Sequence, residues 1–319
     1  MKTERLAALL TEGVQYEPHY LPAANSDHLP MTLCALHGLG ADDSFLLNFR
    51  DGYRSRLQLC EVGPTVSDWR DGIGKPECYF GLMMFYADWL ARDAQDDVLN
   101  VVLPELLSGI ALDAFHPIIR MGFARDFDSA PELAASLAYM TSVHQPIAMG
   151  ESNLDLVSAL EQQVKEGPVK LRAQRFGGMI LELNDESRYP SVTARDLAEV
   201  AECALTVYRS TRNFFALHLV TATQALRCTA PTEMKSQAIS AMSSALVASH
   251  LVLGSPKLEQ TLPAPNQLDP EHAYKYCWAC LSEFRASGNP VYMDEIRLFV
   301  GGDLVPQWVA ESISSEMPL

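Results

Sequence analysis

From Asp269 to Leu281 the chain reads Asp-Pro-Glu-His-Ala-Tyr-Lys-Tyr-Cys-Trp-Ala-Cys-Leu, and this stretch limits the possible folds more than any other. Asp269 suits a helix N-cap, Pro270 its first position and Glu271 its positive end. Tyr274, Cys277, Trp278, Cys280 and Leu281 make the helix mostly apolar, so it belongs in an interior rather than on a surface. His272 and Lys275 are three residues apart and leave the same face. An unpaired buried ammonium is costly, so either Lys275 reaches back to water or the core has a use for it.

Helical periodicity recurs along nearly the whole chain, and alternating strands are almost absent. The expectation is an all-α fold: a single large helical domain over residues 1–319, with a metal or substrate pocket between helices. Leu6, Leu9 and Leu10 mark one face of a first helix. Others are expected from His28 to about Leu39 behind an Asn25 or Ser26 cap, over Asp42–Leu59, Pro76–Arg92 and Asp97–Asp113, and from Pro117. Ser129-x-x-Glu132 reads as a capping box before the next. Helices are also read at Ser152–Lys165, Thr193–Arg209, Arg212–Arg227, Thr232–Leu253, Asp269–Ser287 and Leu304–Ser315. Met179–Leu183 is the one stretch that also fits a strand. Gly254–Leu268 is the longest connection, and its length suits a lid or clamp.

Among 319 residues, 48% are hydrophobic and 20% charged, as expected of a globular chain with a large core. The net charge of −16 argues against a nucleic-acid partner and an anionic membrane surface. No apolar run reaches membrane-spanning length, and the N-terminal one is too short for a signal peptide; the expectation is a soluble, cytoplasmic protein. Seven cysteines, an odd and scattered set, are not a disulfide framework. Cys277-x-x-Cys280 has the spacing of a redox or zinc motif but lies within a helical pattern with no second pair, so core packing is expected.

Glycine-rich nucleotide loops, a Gly-x-Ser-x-Gly elbow and His-Glu-x-x-His are all missing from the sequence. What remains is histidine placement. His28 lies at a helix start, His116 precedes a helix-opening proline, His218 sits in the apolar run Phe214–Val220, and His272 is on the Asp269 helix. His37, nine residues after His28, falls on the opposite helix face. His250 closes a helix and suits its dipole; His19 and His144 lie in loops. A lone histidine on an apolar face is commonly a hydrogen-bonded core residue. Four on separate helices, with a buried lysine, match the way helical bundles build metal sites. Spacing alone does not establish that they converge.

Read together, particular residues resemble the questin oxidase-like family. The resemblance begins in Asn25-Ser-Asp-His28-Leu-Pro-Met31, Ala35-Leu36 and Leu39-Gly-Ala41, and runs through Phe49, Tyr53, Asp68-Trp69, Gly74 and Tyr79-Phe80. It is densest in Leu107-Ser-Gly109 and His116–Ala124, continues in Glu132-Leu-Ala134, Leu137-Ala-Tyr139, Leu217–Thr221 and Ala225-Leu-Arg227, and closes with Glu271–Lys275 and Ala279-Cys280. It spans roughly residues 25–285, with 286–319 as a helical extension.

The resemblance implies a non-haem iron-dependent oxygenase. Its substrate would be a carbonyl-bearing, aromatic polyketide-like molecule, oxidised in Baeyer–Villiger fashion or by ring cleavage. It implies His28, His116, His218 and His272 as imidazole ligands, with Lys275 as a carboxylated, catalytic ligand. Four imidazoles and one carbamate oxygen fill five octahedral positions and leave one open. Arg120 is a candidate catalytic residue or a buried ion-pair partner, and Trp69, Met121, Trp278 and Gln224 are candidate pocket residues. Gln224 stands where relatives often carry another histidine. The small-molecule substrate and O2 are the expected partners, with NADPH as an external reductant if the reaction is a monooxygenation. A metal-dependent hydrolase or lyase using a carboxylated lysine, and a non-catalytic helical binding protein, are the alternatives.

Overall fold

The computed structural model describes residues 3–21, 25–148, 154–258, 261–263, 268–301 and 305–313. Among these the helical periodicity is realised as α1 (Glu4–Gly13), α2 (Leu29–Gly38), α3 (Asp43–Tyr53), α4 (Tyr79–Leu90), α5 (Gln95–Leu106), α6 (His116–Asp126), α7 (Ala130–Val143) and α8 (Leu156–Glu166). The second half adds α9 (Phe176–Asp185), α10 (Leu197–Thr211), α11 (Phe214–Thr229), α12 (Lys235–Val252), α13 (Pro270–Ser287), α14 (Val291–Gly301) and α15 (Gln307–Ile313). Among the described residues, extended structure amounts to two minimal pairs and one isolated bridge, so the fold is all-α. Strands β1 (His19–Tyr20) and β2 (Asn25–Ser26) are antiparallel, with His19 opposite Ser26; β3 (Leu154–Asp155) and β4 (Val192–Thr193) are parallel. No helix of the described residues is long and apolar enough to cross a membrane.

Several local expectations are corrected. Met179–Leu183 lies within helix α9, where Phe176, Ile180 and Leu183 are buried at helical spacing. The Asp42 helix ends at Tyr53 and a 3-10 turn, leaving Leu59 bridged to Tyr16. The helix over Asp97–Asp113 stops at Leu106 and gives way to 3-10 turns. Helix α7 starts where Ser129 places it, but the capping box does not form: Ser129 makes no side-chain cap, and Glu132 turns inward to Arg120. A buried guanidinium outcompetes a backbone N–H for the carboxylate. His250 closes helix α12 and is buried, which lowers it from its ordinary value; its ring nitrogens lie 2.7 Å from Gln163 Oε1 and 2.9 Å from the Pro256 carbonyl. Residues 259–260 and 264–267 of the expected lid, and Ser152, lie outside the described residues.

Helices α2, α6, α11 and α13 close a ring, α2 against α6, α6 against α11, α11 against α13 and α13 back against α2. Two glycines set how near these helices come. A Cβ on Gly122 of α6 would lie 2.4 Å from Ala225 of α11, and one on Gly38 of α2 would lie 2.4 Å from the Trp278 ring of α13. Helix α14, within the expected helical extension, ties the C-terminal region to this core through buried Glu295. Its carboxylate accepts from Arg212 at 2.5 and 3.0 Å and from the Tyr276 hydroxyl at 2.8 Å. Cys277 and Cys280 are unbridged and buried in the core, which pushes their thiols up.

Candidate metal centre

Each helix of the ring brings a histidine, and each brings it from its N-terminal end. His28 is the N-cap of α2, His116 the first residue of α6, His272 the third of α13 and His218 the fifth of α11. Ring nitrogens of His28, His116 and His272 lie within 4.8 Å of one another, and all three residues are buried. The His28 and His116 rings are nearly parallel, 4.8 Å between centroids, and His272 meets His28 edge-on at 4.5 Å. His218 stands beside this triad, 4.8 Å from His116 and 5.4 Å from His272 by ring centroid.

Hydrogen bonds set which nitrogen faces inward. His116 Nδ1 lies 2.7 Å from the Asp113 carbonyl, and His218 Nδ1 lies 2.9 Å from the Phe214 carbonyl. A carbonyl only accepts, so both Nδ1 atoms carry the hydrogen and both Nε2 atoms present a lone pair. His116 Nε2 is 2.9 Å from His28 Nε2. Two nitrogens bound at right angles by metal–nitrogen bonds of about 2.0–2.1 Å sit about 2.9 Å apart. His218 Nε2, His28 Nδ1 and both nitrogens of His272 are buried without a hydrogen-bond partner, as is Lys275 Nζ. Orphaned buried polar atoms are rare in native proteins, and these five belong to three of the four histidines and to Lys275. The residues therefore fit a divalent cation.

The electrostatics agree. Burial, with Lys275 adding to it, holds His116 down to about 4 and His28, His218 and His272 well below 6.5. All four imidazoles are neutral at pH 7, the form that binds a metal. Burial also lowers the Lys275 amine to about 7, against the opposing pull of Glu271, Asp27 and Asp269. Behind the cluster, burial raises the Asp27 carboxyl to about 6, with Arg120 opposing; its Oδ1 accepts from the Leu29 N–H at 2.8 Å.

A cavity of about 610 Å³ opens on His28, His116 and His272, with Phe176, Phe214 and Phe215 among its walls and Asp113, Arg175, Asp269 and Glu271 as charged members. Phe176 and Phe215 stack at 4.8 Å, and the Phe214 ring lies 4.6 Å from His272. The pocket residues expected from sequence do not line it. Trp69 is buried in a 3-10 turn under Arg70. Met121 is five residues past His116, about 140° round the helix. Trp278 and Gln224, each six past their helix's histidine, instead line a separate cleft with Asp126 and Arg227. Arg120 is an ion-pair partner of Glu132 at 2.8 Å, both fully buried.

Histidine placement alone did not single out His19, Asp113, Tyr139 or Ser26, which meet beside the cavity. Ser26 and Tyr139 lie in the family-like motifs, Asp113 precedes His116 by three residues, and His19 carries no local signal.

Residues 25–275 match the family model described as questin oxidase-like, a match that covers most of the chain and ends on Lys275. No curated protein gives a significant match.

Proposed function

Because the chain belongs to the questin oxidase-like family, we propose that it is a non-haem iron-dependent oxygenase. Its substrate is a carbonyl-bearing, aromatic polyketide-like molecule, oxidised in Baeyer–Villiger fashion or by oxidative ring cleavage. The observation that carries this reading is the convergence of His28, His116 and His272 within 4.8 Å, beside a buried lysine amine with no hydrogen-bond partner.

In this reading His28, His116, His218 and His272 hold the metal through imidazole nitrogens, and Lys275 through a carbamate oxygen. Lys275 suits that modification because burial brings its amine to about 7, so a large fraction is neutral and has a lone pair for CO2. Four helix N-termini aim the positive ends of their dipoles at the site and favour an anionic ligand there. Fe(II), when bound, supplies the redox and Lewis-acid chemistry for using O2. Phe176, Phe214 and Phe215 offer flat apolar surface to an aromatic substrate and keep water from it. An external reductant such as NADPH serves if the reaction is a monooxygenation.

Three imidazoles also suit zinc, so a hydrolase or lyase with the same carbamate is the competing reading. Metal analysis of protein from iron-supplemented medium, with O2 uptake measured on a hydroxylated anthraquinone, separates the two. Stoichiometric iron and substrate-dependent O2 uptake, both lost in His272→Ala and Lys275→Ala, are expected. Protein that takes up no iron on anaerobic reconstitution, or that turns over without O2, overturns the proposal.

A further inference from the structure

The approach to His116 is the most strained backbone near the site. Asp113, Ala114 and Phe115 are three consecutive non-glycine residues in the left-handed region, with φ of 51°, 51° and 66°. L-residues visit that region singly and at a cost, so a run of three persists only when its surroundings hold it. Nothing caps α6 at Phe115. The restraint lies one step earlier, at the Asp113 side chain.

Asp113 Oδ2 accepts from His19 Nε2–H at 2.6 Å and from the Tyr139 hydroxyl. The same hydroxyl lies 3.0 Å from Ser26 Oγ. His19 and Ser26 face each other across β1 and β2, so the knot is anchored to a paired strand on one side and to helix α7 on the other. One carboxylate thus joins the segment that ends in His28 to the turn that ends in His116. The turn's own carbonyl, that of Asp113, accepts from His116 Nδ1–H at 2.7 Å.

We propose that Asp113 is a positioning residue for the metal centre: fastened through its carboxylate by His19 and Tyr139, it holds the left-handed turn whose carbonyl fixes His116 Nδ1–H and aims Nε2 into the histidine cluster. The inference rests on the metal-binding reading above. Partners that orient a histidine ligand set its tautomer and ring angle, and losing them commonly lowers metal affinity about 10–100-fold. His19 and Tyr139 act through Asp113, as does Ser26 through Tyr139.

The test uses substitutions that tolerate left-handed backbone, so that strain does not confuse the result. Asparagine and glycine both accept φ near 50°, but only asparagine keeps a side-chain oxygen for the Tyr139 hydroxyl. Co(II) is titrated into apo wild type, Asp113→Asn, Asp113→Gly, Tyr139→Phe and the double variant Asp113→Gly/Tyr139→Phe, with the visible Co(II) spectrum recorded. The His116 tautomer is read in each apo protein by ring 15N NMR. Asp113→Asn is expected to bind within about threefold of wild type. Asp113→Gly and Tyr139→Phe are expected to bind about 10–100-fold more weakly, with an altered spectrum and without the fixed Nδ1–H tautomer. The double variant should be no weaker than Asp113→Gly, because both changes break the same restraint. Folded Asp113→Gly that keeps the Nδ1–H tautomer overturns the proposal, as does wild-type Co(II) affinity and spectrum in that variant. A wild type that binds no Co(II) sinks the metal reading instead, and the tautomer still decides the role of Asp113.

Discussion

Replacing Lys275 by methionine should make the metal-free protein more stable while removing a proposed ligand. The Lys275 ammonium is buried, has no hydrogen-bond partner and titrates at about 7 rather than 10.5. Between those values the unfolded chain holds a proton that the folded chain releases, so stability rises with pH across that window. At pH 7, with the folded amine half protonated, the shift amounts to about 4 kcal/mol of destabilisation. Methionine fills nearly the same volume without a charge and escapes that penalty. Urea unfolding of both proteins in metal-free, CO2-free buffer measures the difference. Lys275→Met should be more stable by about 4 kcal/mol at pH 7, and the gap should shrink to about 1 kcal/mol by pH 10 as the unfolded amine approaches its own titration. The buried tyrosines that titrate above this range are common to both proteins and cancel in the comparison. Equal stabilities at pH 7, or a gap that does not change with pH, would refute the reasoning, because Lys275 would then have a partner or reach water.

Other outcomes follow from the same structure. The metal-free protein should lose stability as pH falls from about 6.5 toward 4, since unfolded histidines take up protons that the buried ones refuse. His116, held at about 4, contributes about 3 kcal/mol of this, and His116→Gln should flatten the acid limb of a urea-midpoint-against-pH curve. Arg120→Met strands the buried Glu132 carboxylate and should cost about 3–5 kcal/mol, whereas Arg120→Met with Glu132→Leu should recover most of it in the same assay. Gly122→Ala places a methyl 2.4 Å from Ala225, so it should destabilise by about 1–3 kcal/mol. It should also weaken metal binding by calorimetry, because the α6–α11 contact sets His116 relative to His218.

Helix after helix was legible because a buried face repeats every three to four residues whatever surrounds it. Asp269–Ser287 and Phe214–Thr229 formed close to where periodicity put them, and His28, His116 and His272 could be chosen because each opens or nearly opens a helix. Where a side chain goes once its helix is packed was less legible. Glu132 sits in the right place for a capping box and instead answers Arg120, twelve residues away and on another helix. Trp69, Met121, Trp278 and Gln224 were reasonable guesses for a pocket, but helical rotation and packing turn them from the histidines.

What the sequence by itself determined was the all-α class, the family and the supply of imidazoles. These follow from short-range spacing and residue chemistry, which are written into the chain. Convergence was decided only by tertiary structure. It depends on helices α2, α6, α11 and α13 closing a ring at glycine-thin contacts, and on a left-handed turn braced from β1 and α7 that swings His116 inward. Such distances are set by residues far apart in the chain, and no local pattern encodes them. His19 shows the difference best: in sequence it is a loop histidine beside a proline, and in the fold it bonds the carboxylate of the turn that leads into His116.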